Sequence, residues 1–232
     1  MGQVLLMRHG QAGFGRVNYD QLSDKGHAQA KVTGEAWRAL ISVSTAVSGE
    51  MRRHRETAAG FGAGFGAMPT LRLDAAFNEY AHEAVLRAYR PDLVGRGAIS
   101  AWLAEQPDPQ QAFREAFKGA VRQWADREDD AAAAGYPESF GTFCQRTRAA
   151  LERLRAAAMS PDNVVVFTSG GVISALVMQT MGMANDSFFD LSIELVNGSL
   201  TTMRPIDGGW RVTSFNSHQH LLGHSPALLT HL

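Results

Sequence analysis

The sequence predicts an α/β fold of three layers, α/β/α, in which helices flank a mostly parallel sheet. Short apolar runs typical of buried strands occur at residues 3–7, 42–47 and 163–168. Segments with helical periodicity separate these runs, and strands that alternate with helices favour a parallel sheet. A stretch around residues 85–136 lacks strand-like runs and predicts a helical insertion.

The first half of the chain contains the clearer alternation. Its predicted elements are strands over 3–7, 42–47 and 70–73, and helices over 24–40 and 52–61. Ser23 is a suitable N-cap for the first helix, because its hydroxyl can accept a hydrogen bond from a free backbone N–H. The second helix is expected to fray after Phe61 into a glycine-rich segment.

The insertion at 85–136 is interpreted as a helical lid within a single domain that spans residues 1–232. Trp102, Phe113, Phe117 and Trp124 have spacings compatible with amphipathic helices, and the two tryptophans are interpreted as lid packing. An acidic run at 126–130 precedes four alanines. We interpret this run as a solvated helix end rather than a binding site.

The second half predicts a long helix over 138–158, a strand over 163–168, a helix over 172–181, and a hairpin of strands 195–203 and 210–215. Asp207-Gly208-Gly209 is the predicted hairpin turn. Cys144 falls inside the long helix and is interpreted as a small core residue.

Composition excludes several classes of protein. The 232 residues carry a formal net charge of −1, so nothing predicts a general nucleic-acid or membrane surface. No stretch approaches the roughly 20 apolar residues of a membrane span. Cys144 is the only cysteine, which rules out an intramolecular disulfide and suits a reducing compartment. A cytoplasmic protein is expected.

Three segments follow predicted strands and are candidates for a site. They are Arg8-His9-Gly10, residues 48–53, and Ser169-Gly170-Gly171. In open α/β sheets, ligands bind at the carboxyl ends of the strands. These segments therefore predict a shared site that contains a histidine, arginines, hydroxyls and glycine-flanked amides.

These residue types suit a phosphoryl group. Arg8 and Arg53 can clamp its oxygens in bidentate pairs, and amides near Gly10 and Gly170, at helix N-termini, can add donors. A neutral imidazole nitrogen of His9 can attack phosphorus in line. The guanidinium groups neutralise the charge, so this chemistry requires neither metal nor cofactor.

Other motifs are interpreted structurally. The run of glycines and phenylalanines at 60–66 follows a helix rather than a strand, so it lacks the context of a dinucleotide-binding motif. His218 and His220 have no further ligand at suitable spacing, so no metal site is predicted. Arg52 and Arg55 fit a solvated helix face, whereas the motif described next singles out Arg53.

The sequence resembles the histidine phosphatase superfamily, also called phosphoglycerate mutase-like. Leu6-Met7-Arg8-His9-Gly10-Gln11 is similar to the RHG signature, and the stretches 22–30 and 48–58 resemble the two that follow it. The later matches are Phe77-Asn78-Glu79, Glu138-Ser139 with Arg146, and the stretch 216–221. A lone RHG would be weak evidence, but this ordered set spans nearly the whole chain outside the lid.

The resemblance implies roles for individual residues. His9 would become a phosphohistidine, with Arg53 as the second phosphate-binding arginine. Glu79 would protonate the leaving alkoxide and then activate water, and burial and nearby negative charge would raise its pKa. Glu83, four residues later, is the alternative acid.

One residue departs from the pattern. The superfamily usually has S-H-G-G where this chain has Thr168-Ser169-Gly170-Gly171, so Ser169 replaces a histidine. Ser169 can donate one hydrogen bond but cannot carry a positive charge. The chain resembles a bacterial branch with RHGQA-x-FG, YD-x-LS and TSGG, at residues 8–15, 19–23 and 168–171. The serine is therefore expected to be a feature of that branch.

The predicted function is hydrolysis of a small phosphate monoester through phospho-His9. The expected partners are a small phosphorylated substrate or inorganic phosphate, and a homodimer is left open. Two alternatives stay open. One is a phosphoglycerate-type mutase, which would need a closed, basic lid. The other is a weakly active or inactive phospholigand-binding protein, which the serine at position 169 favours.

Overall fold

A six-stranded sheet lies at the centre of the computed structural model, which describes residues 2–13, 20–93, 97–127 and 135–231. Its strands are β1 (Val4–Arg8), β2 (Val43–Ser48), β3 (Leu71–Leu73), β4 (Asn163–Thr168), β5 (Leu200–Ile206) and β6 (Gly209–Ser217). Their order across the sheet is β3-β2-β4-β1-β5-β6. The fully buried strands β1 and β4 occupy the middle, as expected for apolar runs that are covered on both faces.

The directions of the strands make the sheet mixed. β1 pairs in parallel with β4, β4 with β2, and β2 with β3. β5 is antiparallel to both β1 and β6, so every described strand other than β5 shares one direction. The predicted α/β fold with a mostly parallel sheet is confirmed.

Helices flank this sheet. They are α1 (Asp24–Trp37), α2 (Arg52–Phe65), α3 (His82–Tyr89), α4 (Ala98–Ala104), α5 (Pro109–Asp126), α6 (Phe140–Arg153), α7 (Arg155–Ala158), α8 (Gly170–Met181), α9 (Ser187–Glu194) and α10 (Gln219–His224). The predicted cap of α1 is present, because Ser23 Oγ accepts the Gly26 N–H at 3.1 Å. That helix ends three residues earlier than predicted.

Alternate residues of β1 enter different cores, which produces the three layers. Leu5 shares a core with Ala30 of α1 and Phe61 of α2. Leu6 points to the opposite face and shares a larger core with residues of α6 and α8, including Phe143. Successive side chains of a strand point to opposite faces, so helices are required on both sides of the sheet.

The prediction that α2 frays after Phe61 is wrong, since the helix continues to Phe65. Glycine weakens an isolated helix, but here it permits the close approach of α1. A β-carbon on Gly64 would lie 2.1 Å from the carbonyl oxygen of Lys31. One on Gly34 would lie 2.1 Å from the carbonyl oxygen of Phe61. Packing between the two helices therefore outweighs the local cost of the glycines.

Two boundaries in the second half differ from the prediction. The long helix is divided into α6 and α7 at Leu154. The hairpin begins at Leu200 rather than residue 195, and the additional helix α9 precedes it. The predicted turn is present, with Gly208 at a φ of 77°, a conformation that favours glycine.

The stretch 85–136 is helical where the structure describes it. Trp124 of α5 is buried, and its Nε1–H donates to Glu138 O at 2.9 Å. Trp102 of α4 lies under the Arg90 guanidinium, 4.7 Å from the ring centroid. The predictions for Phe14, Gly15, Tyr19 and the 128–134 part of the acidic and alanine run fall outside the described residues. Within the described part of the chain, none of the helices combines the length and apolarity needed to cross a membrane.

Candidate active site

Three strand ends lie side by side, because β2, β4 and β1 are neighbours in the sheet. The His9 N–H donates to Thr168 O at 2.8 Å, and the Gly49 N–H donates to Phe167 O at 3.0 Å. These bonds continue the parallel pairing beyond the ends of β1 and β2. The three candidate segments therefore meet at the carboxyl edge of the sheet, where α/β proteins bind ligands.

The His9 side chain is held in one tautomer. Its Nδ1 lies 2.8 Å from Gly10 O, and a carbonyl oxygen can only accept, so Nδ1 carries the hydrogen. Nε2 therefore carries the lone pair. Burial, followed by the positive charges of Arg53 and Arg8, lowers the pKa of His9 well below its usual range. This imidazole is neutral at physiological pH.

Both predicted arginines are buried, with side chains that are 3% and 4% exposed for Arg8 and Arg53. Arg8 donates through Nη1 to the carbonyl oxygen of Leu195. Arg53 Nη1 lies 2.7 Å from Asp20 Oδ1 in an ion pair, and Asp20 Oδ2 accepts the N–H of Arg52 at 2.9 Å. Two guanidinium groups thus lie close enough for their charges to act on His9, and a carboxylate already balances one of them.

Glu79 reaches the N-terminus of α8. Its Oε2 accepts the Gly171 N–H at 3.1 Å, and its Oε1 accepts the Tyr80 N–H at 3.2 Å. Burial raises the pKa of Glu79, although the charge of Arg53 and both hydrogen bonds oppose the shift. A protonated carboxyl suits a general acid. Glu83, the alternative acid, is exposed on the first turn of α3.

The loop before Glu79 is held by two side chains, those of Arg146 and Thr168. Arg146 Nη1 donates to Ala76 O at 3.0 Å and to Asn78 O at 2.9 Å. The same guanidinium forms a bidentate pair with Glu138, at 2.8 and 2.7 Å. Thr168 Oγ1 donates to Phe77 O at 2.7 Å, which joins the loop to β4. The residues of the Glu-Ser…Arg resemblance thus hold the loop that carries Glu79.

Ser169 lies at the N-cap position of α8 but makes no capping bond. Its Oγ instead lies 2.6 Å from Nε2 of His54, and both side chains are fully buried. The ring centroid of His54 is 5.8 Å from that of His9. Sequence analysis did not single out His54. The signal was available, because His54, Ala58 and Phe61 form an i, i+4, i+7 buried stripe on α2.

The two candidate glycines lie in different settings. Gly170 begins α8, as predicted. The prediction that Gly10 lies at a helix N-terminus is wrong, because α1 begins only at Asp24. The Gly10 N–H donates to Thr57 Oγ1 at 3.1 Å, and a β-carbon there would lie 2.3 Å from Gly26 O. Glycine at position 10 therefore allows α1 to approach the backbone after β1.

A second histidine that sequence analysis missed lies near Arg53. His82 opens α3, and burial, followed by the charge of Arg53, lowers its pKa. Among the described residues, Arg53 also shifts the pKa values of His9, His54 and Glu79. Its guanidinium is therefore the charge common to the candidate site.

The loop after α9 supports Arg8 and His9 from behind. Asn197 Nδ2 donates to His9 O at 3.2 Å, and the Gly198 N–H donates to Arg8 O at 3.1 Å. Asn216 holds this loop, because its Oδ1 accepts the Val196 N–H at 2.8 Å. Asn216 itself has a φ of 54°, a region in which asparagine is more tolerated than most residues.

The histidines of the C-terminal motif make local contacts. His220 Nε2 lies 2.9 Å from Thr33 Oγ1, and burial lowers the pKa of His220 to about 4. His218 Nδ1 lies 2.6 Å from Asn216 O. Across the residues that the structure describes, no group of three or more His, Cys, Asp or Glu side chains could hold a metal ion. Cys144 is partly buried, and burial raises the pKa of its thiol to about 11.

The fold and the position of the candidate site define an α/β protein of the phosphoglycerate mutase-like type. Solved structures of three such proteins cover almost the whole chain. A mycobacterial glucosyl-3-phosphoglycerate phosphatase has a TM-score of 0.61 and 22% identity, covering 94% of this chain and 100% of its own. A phosphoserine phosphatase from Entamoeba histolytica has a TM-score of 0.65 and 18% identity, covering 95% of this chain and 100% of its own. A phosphoglycerate mutase from Bacillus anthracis has 0.65 and 19%, covering 95% of each chain.

The chain belongs to the histidine phosphatase superfamily (branch 1), whose sequence profile matches residues 4–111 and 104–218. Comparison with curated proteins gives no match. The resemblance inferred from the ordered motifs is therefore confirmed at the level of the superfamily. The structural neighbours named above include both phosphatases and a mutase.

Proposed function

We propose that this protein is a phosphatase that hydrolyses a small phosphate monoester through a phosphohistidine intermediate on His9. One observation carries the proposal. The His9 Nδ1–H is committed to Gly10 O, so Nε2 carries a lone pair, and the charges of the buried Arg53 and Arg8 act on this neutral imidazole. Such a nitrogen can attack phosphorus while the arginines neutralise the charge on the oxygens.

The first step forms one bond and breaks another. His9 Nε2 attacks phosphorus, the bond between phosphorus and the ester oxygen breaks, and the leaving alkoxide takes a proton from Glu79. The raised pKa of Glu79 supports this role, because burial keeps the carboxyl protonated at a higher pH than usual. The products are the free alcohol, phospho-His9 and ionised Glu79.

The second step restores the protein. Glu79, now a carboxylate, accepts a proton from a water molecule. The oxygen of that water attacks phosphorus, and the bond between phosphorus and His9 Nε2 breaks. Inorganic phosphate leaves, with Nε2 neutral and Glu79 protonated again. Arg8, Arg53, Ser169 and the Gly170 N–H are proposed to hold the phosphate oxygens in both steps. We propose that neither step requires a metal ion.

Hydrolysis is favoured over a mutase by the charges of the helical insertion. Arg90 pairs with Asp92 at 2.6 Å, and Lys118 pairs with Asp190 at 2.9 Å. These two cations are already neutralised, so they contribute little to a basic lid that would retain a bisphosphorylated intermediate. We propose that the insertion sets which ester enters the site.

The test uses the full chain with an aryl phosphate in the presence of a chelator. Wild type should release phosphate and trap an acid-labile phosphoprotein, and His9→Ala should do neither. His224→Ala is the matched control, since it removes an exposed histidine from α10. The enzymatic proposal fails if wild type does not exceed His9→Ala. Phosphoserine and 3-phosphoglycerate then serve as ester substrates, with isomerised product indicating a mutase instead.

A further inference from the structure

The buried contact between His54 and Ser169 is the feature that the proposed mechanism leaves unused. Its two atoms, Nε2 and Oγ, are 2.6 Å apart, and both residues have no exposed surface. The contact joins α2 to the start of α8 beside His9, whose ring centroid is 5.8 Å from that of His54. Ser169 occupies the position where the superfamily usually has a histidine.

The other nitrogen of His54 settles which atom donates. His54 Nδ1 is buried and has no hydrogen-bond partner among the described residues. It faces Gly49, where a β-carbon would lie 2.2 Å away. A buried N–H without a partner is rarer in proteins than an unused acceptor. The hydrogen therefore belongs on Nε2, which donates to Ser169 Oγ.

This assignment leaves the hydrogen of the Ser169 hydroxyl available. Ser169 Oγ makes no capping bond to α8, and its only hydrogen bond in the described part of the chain is with His54. A hydroxyl that accepts one hydrogen bond becomes a stronger donor in the next, because each bond polarises its neighbour. Within a site flanked by Arg8 and Arg53, the natural acceptor is a phosphate oxygen.

We propose that His54 is a positioning residue that orients and polarises the Ser169 hydroxyl toward the phosphate. His54 of α2 and Ser169 would together take the place of the one histidine that the superfamily usually has at position 169. The inference rests on the proposed function. Its geometry also explains why position 49 is glycine, since any side chain there would collide with the ring of His54.

Two substitutions at position 54 separate donation from packing. His54→Gln keeps an N–H donor that can reach Ser169, whereas His54→Phe keeps a flat ring without a donor. His54→Phe should weaken inorganic phosphate binding, measured by calorimetry, and lower kcat on an aryl phosphate, each by roughly tenfold. His54→Gln should stay within about threefold of wild type. Thermal unfolding of each variant shows that it folds.

A double-mutant cycle tests whether His54 acts through Ser169. Ser169→Ala alone should lower kcat by about 100-fold or more, as loss of a transition-state donor does. Adding His54→Phe to it should cost no more than about twofold, because coupled residues are not additive. Adding Ser169→His to His54→Ala should recover most of the kcat that His54→Ala alone loses.

The possible results divide cleanly. Losses that multiply in the double variant would overturn the proposal, as would His54→Gln being as impaired as His54→Phe. A rate and phosphate affinity for His54→Phe within twofold of wild type would also overturn it. If wild type shows no turnover above His9→Ala, the phosphatase proposal fails, while the phosphate affinities of these variants still decide the His54–Ser169 inference.

Discussion

Replacing Glu79 with glutamine removes the acid while keeping the shape of the site. The amide oxygen can still accept the Gly171 N–H that Glu79 accepts at 3.1 Å. A general acid contributes about 10²–10⁴ to the rate of a step in which it donates a proton, which is about 3–5 kcal/mol of the barrier. Phosphorylation of His9 by an alkyl phosphate should slow by that factor.

The leaving group gives this prediction its internal control. A nitrophenolate leaves without protonation, so phosphorylation by nitrophenyl phosphate should remain fast in Glu79→Gln. Hydrolysis of phospho-His9 should then be slow, because no base activates the water. Stopped-flow absorbance should show a burst of nitrophenol equal to the number of sites, followed by slow turnover. Glu83→Gln, which changes an exposed carboxylate nearby, should behave as wild type.

The pH dependence and the stability follow from the direction of the pKa shift. Because burial raises the pKa of Glu79, alkyl phosphate turnover in wild type should fall as pH rises through that raised value. A raised folded-state pKa also means that the stability contributed by the group is lost as pH rises through it. Glu79→Gln should therefore lose less stability than wild type as pH rises through that raised value. Equal slowing of both substrates with no burst, or a Tm of Glu79→Gln that falls with rising pH as steeply as that of wild type, would refute this reasoning.

Three further variants test the framework around the site. Gly171→Ala places a β-carbon 2.2 Å from Glu79 Oε1, so alkyl phosphate turnover should fall by about 10²-fold from misplacement of the acid; an unchanged rate would contradict this. In Arg146→Lys, the single ammonium group cannot replace the bonds of Arg146 to two loop carbonyls and to the Glu138 carboxylate. The kcat on an alkyl phosphate should drop about tenfold, while the affinity for inorganic phosphate should be unchanged. Gly64→Ala should lower Tm by about 2–12 °C through overpacking, whereas Gly62→Ala, with no contact nearer than 3.5 Å, should raise it in a thermal melt.

The central strands could be predicted closely because burial on both faces leaves a nearly continuous apolar run. The strand predicted at 163–168 matches β4, and that at 3–7 differs from β1 by one residue at each end. The continuation of α2 could not be read locally, since its reason is the carbonyl of Lys31 on another helix. The early start predicted for the hairpin has a similar cause. Leu195 and Val196 suit a strand, but Asn216 holds their backbone in a loop.

Some residues of the candidate site could likewise be predicted from the sequence, and others could not. Arg8, His9 and Ser169 follow strands, so topology alone brings them to one edge of the sheet. His54 lies among arginines on a helix, where the local pattern resembles a solvated face. The stripe that His54 forms with Ala58 and Phe61 indicates a buried side, but its contact with Ser169 becomes evident only when α2 is packed against the sheet. The sequence also carries no sign that Asp20 pairs with Arg53 across 33 positions.

That ion pair bears on how an anion would enter and leave the proposed site. A phosphate oxygen that takes the place of Asp20 Oδ1 at Arg53 exchanges one anion for another rather than meeting an unbalanced cation. Asp20 is tethered to the same chain, so it competes at a fixed effective concentration that dilution does not lower. If Arg53 holds phosphate as proposed, this competition weakens binding of the ester and of inorganic phosphate alike, and the returning carboxylate assists the departure of the product.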